Sequence, residues 1–150
     1  MVTQAAVQDF LSQKTLAVIG VSRSKNKFSY RLYQELKAKG YQVFPVNPHM
    51  AELDGEPCFD SIKSIPHQVD GAVLVTPSGQ TEKVIGEVIA TGVRQVWIQQ
   101  GAESAAAIAA CARAGLNAIH HECLLMFAEP AGFPHNAHRF IWRVLGKMPK

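Results

Sequence analysis

Arg23, Lys25 and Lys27 stand within five residues of one another, directly after the apolar run Leu16-Ala17-Val18-Ile19 and Gly20. Ser22, Ser24 and Ser29 supply hydroxyls to the same stretch, and a helical pattern opens at Tyr30. An apolar run of that kind reads as a buried parallel strand, covered by helices on both faces. The loop then lies at the strand's carboxyl end and the next helix's amino end. Unpaired backbone N–H groups and the helix dipole favour an anion there. The predicted chemistry is a phosphate cradle.

Charge supports a small polyanion. The chain has 150 residues and a net charge of +3, yet Gly20 to Lys39 carries six Lys/Arg against the single acid Glu35. The rest of the chain is slightly acidic. A basic focus on one loop suits a phosphorylated small molecule better than a nucleic-acid surface. No run approaches the roughly 20 apolar residues that would span a bilayer, so no membrane role is expected. Three cysteines at unrelated spacings give no disulfide framework, which points to a reducing cytoplasm.

The elements that position the loop follow from periodicity. Val7, Phe10 and Leu11 suggest a short helix before a first strand at about Thr15 to Gly20. A helix near Ser29 to Lys39 turns Leu32, Tyr33 and Leu36 inward and stops at Gly40. Tyr41 to Val46 is a strand closed by Asn47-Pro48, and Gly55 to Phe59 a short edge strand, because Pro57 would be awkward elsewhere. Ser61 to Ile65 is a turn or two of helix. Gly71 to Val75 is a buried strand closed by Thr76-Pro77. Ser78 caps a helix with the stripe Val84, Ile85, Val88 and Ile89, ended by Gly92. Val93 to Gln99 is a strand, Glu103 to Ala114 a helix and Leu116 to His120 the last strand. Phe133 to Lys147 forms a final helix whose apolar face, with Trp142, would allow a homodimer. This alternation predicts one α/β domain: a three-layer, Rossmann-like, doubly wound, mostly parallel sheet, order 3-2-1-4-5-6 with a short edge strand.

Ligands bind such sheets across the carboxyl ends of the strands. Here that rim is Gly20-Val21-Ser22, Asn47-Pro48, Thr76-Pro77-Ser78, Gln99-Gln100-Gly101 and His120 to Cys123. The fingerprint G-x-G-x-x-G is absent, as is the acid some 20 residues later that holds an NAD ribose. Extra phosphate is favoured instead, which leaves NADP and coenzyme A as candidates. No Tyr-x-x-x-Lys pair is placed at the rim to donate a proton, which weakens an NADP-dependent oxidoreductase. An interaction module with a vestigial nucleotide cleft is the remaining alternative.

The set Val18-Ile19-Gly20-Val21-Ser22-Arg23, Val46-Asn47-Pro48, Val75-Thr76-Pro77 and Trp97-Ile98-Gln99-Gln100-Gly101-Ala102-Glu103 resembles the small single-domain CoA-binding proteins. Those are similar to the N-terminal domain of the succinyl-CoA synthetase α subunit. The likeness runs from about Thr15 to Met126. It implies that Gly20, Ser22, Lys27, Phe28 and Ser29 hold the phosphates, while Asn47, Pro48, Thr76 and Pro77 line the adenosine and pantetheine groove. Cys123 falls where that family tends to carry a cysteine. The synthetase's second domain, with its phosphorylated histidine, has no counterpart here, so the expectation is CoA or acyl-CoA binding without catalysis.

The cysteines and histidines add little by themselves. Cys58 and Cys111 read as packing residues. Near a CoA thiol, Cys123 would be placed for a mixed disulfide. His120, His121, Cys123, His135 and His138 invite a zinc reading. However, His135-x-x-His138 is one residue short of the usual spacing, and adjacent strand residues should face opposite ways. No metal is expected.

Overall fold

The computed structural model describes residues 2–127. The predicted helix over Phe133 to Lys147, Trp142, His135 and His138 lie outside them.

In chain order the elements are α1 (Gln4–Leu11), β1 (Thr15–Ile19), α2 (Phe28–Ala38), β2 (Gln42–Val46), β3 (Glu52–Leu53) and β4 (Glu56–Pro57). They continue with β5 (Gly71–Leu74), α3 (Ser78–Thr91), β6 (Gln95–Gln99), α4 (Ala105–Arg113) and β7 (Asn117–Glu122). Single 3-10 turns at Ile62–Ser64 and Leu124–Met126 complete the path. The main sheet has five parallel strands in the order β2-β1-β5-β6-β7. This is the expected α/β order, with one change at the edge. Glu56–Pro57 pairs antiparallel with Glu52–Leu53, and only Phe59 reaches the sheet, through a single parallel bridge to Val46. Pro57 has no N–H to donate, so it cannot extend a ladder.

Two apolar layers explain the unbroken runs. Leu16 and Val18 of β1, Val73 of β5 and Trp97 of β6 pack toward α1 and α2, with Phe10, Leu32, Tyr33 and Leu36. Ala17, Ile19, Leu74 and Ile98 pack toward α3 and α4, with Ile85 and Val88. The central strands β1, β5 and β6 are thus buried on both faces, and full burial of one such large side chain contributes about 1.5–3 kcal/mol. Trp97 is wholly buried, edge-on to Phe10 at 5.4 Å, and its Nε1 donates to the Glu122 carbonyl at 3.0 Å. No helix among the described residues is long and apolar enough to cross a membrane.

Three local expectations change. Ile89 is 38% exposed, so the inward stripe of α3 narrows to Ile85 and Val88 with Thr81. Ser78 is the first helical residue; Pro77 occupies the cap and offers no side-chain acceptor. His120 and His121 do not point apart. His121 takes φ +62°, the β6–β7 register shifts between Trp97 and Gln99, and the two Nδ1 atoms lie 2.8 Å apart. A bulge breaks the two-residue alternation on which the opposite-face expectation rested.

Candidate functional site

Gly20 ends β1 with φ +100°, and its N–H donates to the Val46 carbonyl at 2.9 Å, carrying the β1–β2 ladder one residue further. The loop beyond is held by its own hydroxyls. Ser29 Oγ accepts the Ser22 N–H at 3.0 Å, and Ser22 Oγ accepts the Ser24 N–H at 3.1 Å. The cap of α2 is Lys27, which makes no side-chain cap bond, so the helix leaves its first N–H groups without an internal side-chain acceptor. A positive helix end therefore opens beside three cations, the arrangement an anion needs.

The loop after β2 is tied to this one. Asn47 Nδ2 donates to the Val21 carbonyl at 2.8 Å, and Asn47 Oδ1 accepts the His49 N–H at 2.8 Å. The Arg23 guanidinium donates to the His49 carbonyl at 3.3 Å. These bonds fix the β1 and β2 tips relative to each other.

Between the tips of β1, β2 and β5 and the flank of α3 lies a cleft of about 740 Å³. Five of the residues expected at the site line it: Gly20, Asn47, Pro48, Thr76 and Pro77. The others do not. Val21 is buried behind the loop, and Val75 packs partly on the core. Ser22, Arg23, Lys27, Phe28 and Ser29 form the adjoining loop and helix start, outside the lining. Gln99 is buried, with Oε1 accepting the Leu124 N–H at 3.1 Å, and Cys123 packs half-buried against the α1–α2 layer. Tyr33 and Lys37, which do share the Tyr-x-x-x-Lys spacing, turn to Glu56 of β4 and stay off the rim.

The cleft also contains residues that the sequence reading missed. Gln80, Lys83, Val84 and Glu87 come from α3, and their i, i+3, i+4, i+7 spacing after Thr76-Pro77 was the available signal. His49, Asp60 and Ser61 come from the β2 side, where no periodicity marks a loop.

The far end of the rim is electrostatically unusual. Glu122 Oε2 is buried with no hydrogen-bond partner among the described residues, and burial raises its carboxyl above the ordinary range while His121 opposes the rise. Burial, followed by the neighbouring His121, lowers His120. His121 Nε2 lies 3.8 Å from Glu103 Oε1, and Glu103 accepts the Gly101 N–H. Among the described residues no group of three His, Cys, Asp or Glu side chains is placed to hold a metal ion.

Comparison with known proteins decides the family. Residues 14–129 match the family described as the CoA binding domain. The chain belongs to that family. Over 90 residues it is 34% identical to the α subunit of an ADP-forming acetate–CoA ligase II from Pyrococcus furiosus, covering 59% of this chain and 20% of the subunit. It is 29% identical over 100 residues to the uncharacterized protein YneT of Bacillus subtilis, covering 66% of this chain and 74% of that protein. A solved structure of a hypothetical protein from Pyrococcus horikoshii superposes with a TM-score of 0.78 at 26% identity, covering 82% of this chain and 87% of that one. This member of the CoA binding domain family spans about a fifth or less of the ligases it matches.

Proposed function

We propose that this protein binds coenzyme A or an acyl-CoA, with the phosphates at the β1–α2 loop and the rest of the carrier in the adjoining cleft. The observation that carries this reading is the junction of the two. A helix start beside Arg23, Lys25 and Lys27 abuts a cleft built by Gly20, Asn47, Pro48, Thr76 and Pro77. Family membership supports CoA as the small-molecule ligand.

Binding rather than turnover is the proposed role. The expected cleft residues are two prolines, a glycine, an amide and a hydroxyl, and the amide is already engaged in tying the loops. Such groups hold and orient a ligand, and the titratable residues that share the cleft, His49, Asp60, Lys83 and Glu87, are the ones a turnover would have to use. Isothermal titration with CoA tests the proposal, with NADPH titrated in parallel. Saturable CoA binding that weakens with salt is expected, because phosphate contacts are screened. Heat from NADPH alone would overturn it.

A further inference from the structure

Thr76 lines the cleft, but its hydroxyl is committed before any ligand arrives. Thr76 Oγ1 and Thr81 Oγ1 lie 2.7 Å apart, and Thr81 Oγ1 is 2.6 Å from the Ala102 carbonyl and 3.3 Å from the Pro77 carbonyl. A carbonyl oxygen only accepts, and a hydroxyl has one hydrogen to give. Were that hydrogen spent on Thr76, the Ala102 oxygen would face another lone pair at 2.6 Å. Thr81 therefore donates to Ala102, and Thr76 must donate to Thr81. Only lone pairs of the Thr76 oxygen remain to be offered to a ligand. The setting enforces this order, since Thr81 is fully buried and Thr76 is 7% exposed.

From this we infer that Thr76 is an obligate hydrogen-bond acceptor. It reads an N–H or O–H group of the ligand and turns away phosphate oxygens. Thr81 is the positioning residue that sets this polarity. The inference rests on the CoA reading above and deepens it. The neighbouring groups agree, because the Gly20 N–H is already given to Val46, and Asp60 and Glu87 add acceptors to the walls that His49 and Lys83 share. Anionic groups are thus left to the basic loop outside. CoA offers the required donor from two sources, the nucleoside's amine and hydroxyls or the amides of the pantetheine arm.

The test measures binding of CoA, adenosine 3′,5′-bisphosphate and 4′-phosphopantetheine to wild type, Thr76→Val and Thr76→Ser. Thr76→Val should weaken CoA about 5- to 10-fold, leave the salt dependence unchanged, and weaken whichever fragment supplies the donor. Thr76→Ser should bind like wild type. In a Thr81→Val background the Thr76→Val loss should shrink at least about twofold, since the Thr76 hydrogen is then free to rotate. A flatter salt dependence in Thr76→Val would mean that Thr76 meets a phosphate and would overturn the inference, as would unchanged CoA affinity. If wild type binds no CoA, the functional reading fails instead. The polarity then stands or falls on NMR of the free protein, where a slowly exchanging Thr76 hydroxyl proton near the Thr81 methyl is required and its absence refutes the network.

Discussion

Gly20 approaches Val75 so closely that a β-carbon at residue 20 would stand 2.9 Å from the Val75 carbonyl oxygen. The same residue holds φ +100°, which L side chains rarely adopt. The tips of β1 and β5 therefore meet at the floor of the cleft only because that position lacks a side chain. Gly20→Ala should destabilise the fold by about 1–3 kcal/mol from backbone strain, with further loss if the tips are pushed apart. Urea unfolding checks this. A midpoint equal to wild type would show that the contact can relax freely.

Asn47 joins two loops with one side chain, donating to Val21 and accepting from His49. Val21 is fully buried, so its carbonyl has little other recourse. Asn47→Ala should cost about 1–3 kcal/mol in stability, the penalty for leaving such a group unsatisfied. Asn47→Asp keeps the acceptor for His49 but sets a carboxylate against the Val21 carbonyl beside the proposed phosphate site. It should therefore weaken CoA binding more than the alanine does. Equal affinity in the two variants would place the phosphates elsewhere.

Much of this fold is written in local patterns. Leu16 to Ile19 reads as a strand because both of its faces are buried, and Leu32, Tyr33 and Leu36 read as one helical face. The exceptions are places where tertiary structure overrides the period. At His121 a left-handed residue and a shifted register fold the two imidazoles together, and no alternation rule anticipates a bulge. Within the candidate site, the strand-end residues were legible because the fold class names that rim. Asp60, Lys83 and Glu87 were not, because they reach the cleft only through the packing of α3 and the Ile62–Ser64 turn on each other.

The thiols should separate by environment. Burial pushes the Cys111 thiol up to about 11 and also raises Cys58, and both are buried. The thiolate is the reactive form. Alkylation of the native protein at pH 8, read by mass spectrometry of its peptides, should modify Cys123 first, with all three modified in urea. Labelling of Cys111 as fast as Cys123 would contradict the buried placement.

The Glu122 carboxyl gives the fold an unfavourable response to rising pH. Burial raises it above its ordinary 4.5, so the folded chain holds that proton more tightly than the unfolded chain does. Its contribution to stability is fully present below about pH 4.5 and is lost as pH rises through the folded value. Oε2 then carries charge in a buried position with no hydrogen-bond partner among the described residues. Glu122→Gln removes the ionisation and keeps the shape. It should be more stable than wild type at pH 7, with the advantage shrinking as pH falls toward 4.5. His120, lowered by burial and by His121, weakens the fold on the acid side of its ordinary 6.5. That effect is common to both proteins and cancels in the difference between them. Urea midpoints of the pair from pH 4 to pH 7 measure that difference, and parallel curves would mean that Glu122 titrates alike in the folded and unfolded chains.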